Sequence, residues 1–132
     1  MCIRDSITPS LLTEKNWDDL AEAAKWSRAN ADVLKDTHWV GGDPAWLEVY
    51  GWASWTPAKG ILVLRNPSAE KKTISLKLKD TFELPAGAAE TYLARNPWRE
   101  DAAKAAVKID AKQPHEFTLA PFEVLTLEMK PR

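Results

Sequence analysis

The sequence predicts a mainly β fold: an antiparallel two-sheet β-sandwich preceded by one long α-helix. Apolar residues recur at helical spacing early in the chain, where residues 10–40 contain neither glycine nor proline. The later sequence alternates with a period of two in short segments, and turn-forming residues separate these segments. Such short connections leave no room for crossover helices, so the sheets are expected to be antiparallel. The 132 residues, 45% of them hydrophobic, suffice for one globular domain, or for one domain plus the end of another.

The predicted helix spans residues 14–34. Thr13 is a favourable N-cap, and acidic residues follow it in the first turns. The apolar positions form one stripe, which Trp26 and Val33 widen. The stripe consists of Trp17, Leu20, Ala21, Ala24, Ala31 and Leu34. Residues 41–44, Gly-Gly-Asp-Pro, then end the helical pattern.

Several short β-strands are predicted after this break. Their ranges are 46–55, 61–65, 73–78, 91–95, 116–119 and 123–130, and residues 101–107 favour a single helical turn. In the first strand, alternation places Trp46, Tyr50 and Trp52 on one face. The residues expected to point into the core are Ile61, Val63, Ile74, Leu76, Leu78, Leu119, Val124 and Leu127.

Charge and cysteine content argue against several classes of function. The net charge of −1 disfavours binding to nucleic acid and to membrane surfaces. Cys2 is the single cysteine, which excludes an internal disulfide and a thiolate-rich metal site. The two histidines, His38 and His115, have no recognised ligand spacing. We therefore expect no metal and no cofactor, and no partner among nucleic acids or membranes.

Three segments carry a resemblance to a known family. Residues 29–36 read Ala-Asn-Ala-Asp-Val-Leu-Lys-Asp, and residues 48–53 with 60–68 read Glu-Val-Tyr-Gly-Trp-Ala and Gly-Ile-Leu-Val-Leu-Arg-Asn-Pro-Ser. Residues 121–128 read Pro-Phe-Glu-Val-Leu-Thr-Leu-Glu. In order and spacing, these segments resemble the last barrel helix, the first sandwich hairpin and the final strand of the α-galactosidase clan of glycoside hydrolases.

The resemblance implies a domain organisation. Residues 7–40 would be the last helix and exit loop of a truncated (β/α)8 barrel, and residues 41–132 a C-terminal antiparallel β-sandwich. Residues 1–6, Met-Cys-Ile-Arg-Asp-Ser, resemble the adaptor-derived false starts of assembled metagenomic reads. We expect them to be an artefactual leader, and the remainder to be a fragment of a longer chain.

The resemblance also implies a retaining α-glycosidase as parent, whose two catalytic aspartates would lie upstream in the barrel. No aspartate here lies in a segment similar to that family's catalytic motifs, so no catalytic residue is assigned. Asp36, Asp43 and Glu48 cluster in sequence and could be proposed as a carboxylate pair. Their positions at a helix end, in a turn and on a strand favour ordinary polar roles.

Five residues are candidates for carbohydrate binding or for a domain interface. His38 and Trp39 lie in the loop after the helix, where a hydrogen-bonded histidine and a tryptophan wedged between domains are the favoured interpretation. Trp46, Tyr50 and Trp52 could form a flat platform for sugar rings, or cover the helix or a barrel. Packing is the favoured interpretation of these three rings.

The sequence therefore predicts a non-catalytic C-terminal accessory domain of an α-galactosidase-like glycoside hydrolase. Its expected partner is the catalytic barrel of the same parent chain, which it would pack on and stabilise. The alternative is a stand-alone carbohydrate-binding β-sandwich module that uses the aromatic strand face. The resemblance is compatible with an exported parent, either periplasmic or extracellular, and does not identify the sugar.

Overall fold

A computed structural model describes residues 8–132. The chain divides into two compact units, Met1–Ala31 and Asp32–Arg132. The proposed leader, residues 1–6, lies outside the described residues, so its interpretation stays a prediction. The assignment of residues 7–40 to a barrel likewise stays a prediction.

The first unit is helical. It contains a 3-10 helix at Pro9–Leu11 and helix α1 at Glu14–Ala29. Thr13 caps α1 with a capping box, because its Oγ1 accepts a hydrogen bond from the Asn16 amide and Asn16 Oδ1 accepts one from the Thr13 amide. The start of the helix is therefore where the sequence predicts it.

The predicted helix 14–34 is in fact two helices. Helix α1 ends at Ala29. Asn30 is its C-cap: its backbone leaves the helical region, and its side-chain amide donates to the Trp26 carbonyl at 2.8 Å. A short helix α2, Ala31–Leu34, follows. Asparagine competes for backbone hydrogen bonds in this way, and the apolar periodicity that continues past residue 30 hides the break.

No residue of α1 is buried, and the predicted stripe positions within it, Trp17, Leu20, Ala21 and Ala24, are exposed. The side chain of Trp17 is 40% exposed, and that of Leu20 is 50% exposed. A tryptophan and a leucine one turn apart thus face solvent on the same side of the helix.

The second unit is a β-sandwich, which confirms the predicted fold class. Its strands are β1 Thr37–Gly41, β2 Tyr50–Thr56, β3 Lys59–Arg65, β4 Lys72–Lys77, β5 Thr91–Arg95, β6 Val107–Asp110, β7 Pro114–Leu119 and β8 Val124–Pro131. Six form one sheet in the order β1-β2-β3-β8-β5-β6, and β4 pairs with β7 in the other. Every pairing is antiparallel. Helix α3, Leu78–Thr81, follows β4.

The sequence did not predict β1 and β6. Residues 37–40, expected in an exit loop, lie in β1, and Val107, expected at the end of a helical turn, begins β6. Residues 99–101 form a short 3-10 helix instead. Both missed strands are edge strands of the six-stranded sheet, and each is four or five residues long. Their hydrogen bonds come from one neighbour, so a local pattern gives little sign of them.

The core lies on the inner face of the larger sheet, between it and the segment that includes β4, α3 and β7. It contains Val40, Val49, Ala53, Leu62, Leu64, Leu78, Phe82, Tyr92, Ala94, Ile109, Ala111, Phe117, Leu119 and Met129. Of the residues predicted to point inward, Leu78 and Leu119 are in this core, Leu78 within α3 rather than at a strand end. Ile74, Leu76 and Leu127 are partly buried against it.

The two faces of β3 are the reverse of the predicted ones, but Ile61 is buried as predicted. Leu62 lies opposite Ala53 and Leu127, on the face of the main core cluster. Ile61 and Val63 lie on the other face, where Ile61 is 1% exposed and Val63 is half-buried. A continuous apolar run carries no alternation that distinguishes its two faces. Val124, which pairs with Arg65 on that outer face, is 55% exposed and is not a core residue.

Asn66 joins two turns of the sandwich. Its fully buried side-chain amide donates to the carbonyls of Glu70 and Ala120, both at 2.8 Å. Its Oδ1 accepts the Ser68 amide at 3.0 Å, and its own backbone amide donates to the Glu123 carbonyl at 2.9 Å. One side chain thus holds the turn after β3 against the turn between β7 and β8.

Leu62→Ala tests the register of β3. Truncating this fully buried side chain is expected to lower the free energy of unfolding by about 2–5 kcal/mol. Denaturant unfolding measures the change, and Val124→Ala, an exposed control on β8, should cost less than about 1 kcal/mol. A larger loss for Val63→Ala than for Leu62→Ala would reverse the two faces of the strand.

Asn66→Ala tests the junction between the two turns. The substitution removes the side-chain hydrogen bonds to the Glu70 and Ala120 carbonyls and to the Ser68 amide, each worth about 0.5–1.5 kcal/mol, so the free energy of unfolding should fall by about 2 kcal/mol or more. The matched control is Asn96→Ala, because Asn96 is half-buried and its side chain accepts one hydrogen bond, from the Trp98 amide. Equal midpoints for the two variants in thermal unfolding would contradict the special role of Asn66.

Candidate functional site

The loop between β1 and β2 contains three of the eight candidate residues, Asp43, Trp46 and Glu48. It is closed by Gly41, whose φ of +90° suits glycine and where a Cβ would lie 2.7 Å from the Val49 carbonyl oxygen. The Gly42 amide donates to the same oxygen at 2.8 Å. A Cβ at Gly42 would collide with the Glu48 side chain. Both glycines therefore permit a tight closure that a larger residue would prevent.

Two of the three candidate carboxylates hold this loop together. Asp43 Oδ1 accepts the Ala45 amide at 2.8 Å, which caps the 3-10 helix Pro44–Trp46. Glu48 Oε2 accepts the Asp43 amide, also at 2.8 Å. Asp36 is exposed between α2 and β1. Backbone hydrogen bonds account for the positions of Asp43 and Glu48, as the ordinary polar interpretation expects.

The predicted aromatic face of Trp46, Tyr50 and Trp52 does not form on one strand. Trp46 ends the 3-10 helix, and Leu47 after it has a φ of +57°, which turns the chain before β2 starts at Tyr50. The capped Asp-Pro turn thus overrides the alternation that the sequence suggests. Trp46 is 79% exposed and lies apart from the other two on the loop.

A different set of three rings comes together: Trp39, Tyr50 and Trp52. Trp39 lies directly opposite Trp52 across the β1–β2 pair. Its ring stacks on Tyr50, with centroids 4.8 Å apart and planes 7° apart, and Trp52 meets both rings edge-on. Tyr50 is buried and its hydroxyl accepts a hydrogen bond from Arg65 at 3.4 Å, whereas Trp39 is 49% exposed. The sequence missed this grouping because it did not predict β1.

His38 points to the opposite face of β1 from Trp39. Its Nε2 lies 2.8 Å from the carbonyl oxygen of Thr81, at the end of α3. Because a carbonyl can only accept, Nε2 is the donor in this hydrogen bond. His38 therefore ties the edge strand to α3, in agreement with the expectation of a hydrogen-bonded histidine.

Beside the loop is an open depression of about 470 Å³. Its lining includes Trp46, Leu47 and Glu48 from the loop and Lys72 and Thr73 from β4. Contact between the loop and β4 is close, since a Cβ at Gly41 would lie 3.1 Å from Cδ1 of Ile74. The depression thus spans the edge where the two sheets meet.

Residues 8–132 offer neither a cluster of metal ligands nor a membrane-spanning helix. No three histidine, cysteine, aspartate or glutamate side chains in that range are grouped so that they could hold a metal ion. No helix in the same range is long and apolar enough to cross a membrane.

Comparison with known proteins finds similarity in structure. No protein-family model and no curated protein matches the chain. A solved structure from Bacillus halodurans, provisionally named an alpha-N-acetylgalactosaminidase, matches with a TM-score of 0.54 and 18% identity. The match covers 73% of this chain but only 21% of that one, so the chain spans about a fifth of that protein's length.

Two structures of a glycoside hydrolase family 27 β-L-arabinopyranosidase from Geobacillus stearothermophilus match less well. Their TM-scores are 0.47 and 0.46, at 23% and 24% identity. The matches cover 64% and 63% of this chain and 17% of each of those. At such identities the first match establishes a shared fold and nothing more.

Proposed function

We propose that this chain is a non-catalytic C-terminal accessory domain of a glycoside hydrolase similar to the α-galactosidases. Its role is to pack on and stabilise the catalytic barrel of the same parent chain. The observation that carries the proposal is the match of 73% of this chain to a fifth of a protein named as a glycosidase. Such a ratio is expected when a small domain accompanies a much larger catalytic one.

The contacts within the sandwich support the proposal. Two of the three segments on which the resemblance rests meet in space, because Asn66 binds the carbonyl of Ala120 and, through its own backbone amide, that of Glu123. An Arg-Asn-Pro-Ser turn followed much later by Pro-Phe-Glu is therefore one structural unit. The similarity in order and spacing then has a physical basis in the packing of the domain.

Exposed apolar side chains supply surfaces for a barrel to cover. Trp17 and Leu20 present the apolar side of α1, and Trp39 and Trp52 present half-exposed indoles on the outer face of the sandwich. Burying apolar area of this kind is the main driving force of domain association. We accordingly propose four domain-interface residues: His38, Trp39, Tyr50 and Trp52. His38 contributes indirectly, because it holds β1 in place through its hydrogen bond to the end of α3.

The alternative of a sugar platform on the strand face is less well supported. Trp52 meets Trp39 and Tyr50 at 78° and 72°, so these rings do not form one flat surface. Tyr50 is only 8% exposed. The geometry suits packing against an irregular protein surface better than stacking on successive sugar rings.

The first test is an activity assay of the isolated chain with aryl α-galactosides and aryl α-N-acetylgalactosaminides. Retaining hydrolysis needs an acid/base and a nucleophile about 5–5.5 Å apart, and the proposal places both in the barrel. No turnover is expected above that of the buffer. Turnover that Asp36→Asn or Asp43→Asn abolishes would overturn the accessory-domain proposal.

The second test concerns the apolar side of α1. Because its apolar side is exposed, the first half of α1 should either exchange its amide protons quickly with solvent or cause the chain to self-associate. Trp17→Ser should reduce any self-association and leave the unfolding midpoint of the sandwich nearly unchanged. Trp46→Ser, an equally drastic change on the exposed loop, is the matched control and should not alter self-association. Sedimentation velocity and hydrogen-exchange mass spectrometry measure both quantities.

One combination of results would contradict the accessory-domain proposal. A monomer with slow exchange throughout residues 14–29, strongly destabilised by Trp17→Ser, would mean that α1 is fully packed within these residues. The chain would then need no barrel to cover its helix, and the carbohydrate-binding module would become the better proposal.

A further inference from the structure

We propose that the depression beside Trp46 binds the ring of a neutral pyranose sugar. The site is formed by the β1–β2 loop and by β4. Its residues differ from those proposed to contact a barrel, so the inference stands or falls separately from the accessory-domain role.

The loop presents Trp46 in a fixed position. Asp43 and Glu48 each accept a backbone amide within the loop, and Leu47 holds a φ of +57° that is unfavourable for a leucine. Strained backbone of this kind persists only where surrounding contacts enforce it, and it concentrates at binding sites. Because the loop is already ordered, a ligand loses little binding free energy to the conformational entropy of the loop.

Trp46 offers an apolar face without being part of the core. Its side chain is 79% exposed, at one wall of the depression. The electron-rich face of an indole attracts the weakly positive C–H bonds on one face of a pyranose ring. A tryptophan held in this way is the type of side chain that a sugar ring stacks on.

The remaining walls supply polar partners for hydroxyl groups. Glu48 accepts the Asp43 amide with one of its two carboxylate oxygens, and its other oxygen is a further acceptor in the same side chain. Lys72 supplies an ammonium donor. An acceptor and a donor thus line the same depression as the indole.

Charge and size favour a neutral sugar over an anion. Lys72 is the cation of the lining, and Glu48 in the same lining and Glu70, 3.8 Å from the Lys72 ammonium, both oppose its charge, so an anion is not attracted overall. The volume of about 470 Å³ lies within the range of about 300–1,000 Å³ for small-molecule sites. One or two pyranose rings fit these limits, and an open site with one stacking ring predicts weak binding.

The test follows the indole N–H signals and the backbone amide signals of Gly42 and Glu48 by NMR during titration with methyl α-D-galactopyranoside and methyl α-D-glucopyranoside; the two amides report binding in variants that lack the indole. At least one glycoside should shift the Trp46 signal, with a dissociation constant on the order of 1–10 mM. Trp46→Ala should weaken binding at least about tenfold, whereas Trp46→Phe, which keeps an aromatic face, should stay within about threefold.

Trp52→Ala is the matched control, because it removes an indole of the other aromatic group and should leave sugar affinity unchanged. Far-ultraviolet circular dichroism and the unfolding midpoint confirm that each variant keeps its fold. Three results would each overturn the proposal: no shift of the Trp46 signal at about 50 mM of either glycoside, equal affinity in Trp46→Ala, or tighter binding of glucuronate than of both neutral sugars.

Discussion

The buried side chain of Asn66 is the constraint on which the arrangement of the sandwich depends. Its side-chain amide lies directly after a central strand, is fully buried, and donates to carbonyls from two other segments. A buried amide without these partners would cost more than the hydrogen bonds contribute, so packings that separate the two turns are disfavoured. Because β3 and β8 lie side by side at the centre of the larger sheet, fixing the turns at their ends also fixes their register.

The candidate surfaces follow from that framework. With β2 and β3 in place, β1 adds to the edge of the sheet and divides two adjacent residues between its faces. His38 faces inward and binds the end of α3, whereas Trp39 faces outward and stacks on Tyr50. The alternation of a strand thus makes one short segment a structural anchor on one side and an exposed aromatic surface on the other.

The β1–β2 loop is organised by short-range chemistry. Two glycines permit its closure, Asp43 caps its 3-10 helix, and Glu48 bridges back to the Asp43 amide. Carboxylates that resemble catalytic candidates in the sequence are used here to satisfy backbone donors. The ordered loop leaves Trp46 exposed at the edge between the two sheets, outside the core.

The sequence by itself determined the fold class, the capped start of α1, and the position of most central strands, because these depend on periodicity and local hydrogen bonding. It also identified the aromatic residues of the candidate surfaces. Only the tertiary structure decided how they are grouped: β1 brings Trp39 to Tyr50, and the αL backbone of Leu47 removes Trp46 from that face. The same holds for β3, where the apolar run 61–64 fits either face until its neighbours place Leu62 in the core. Edge strands and faces depend on partners distant in sequence, and local patterns carry no information about those partners.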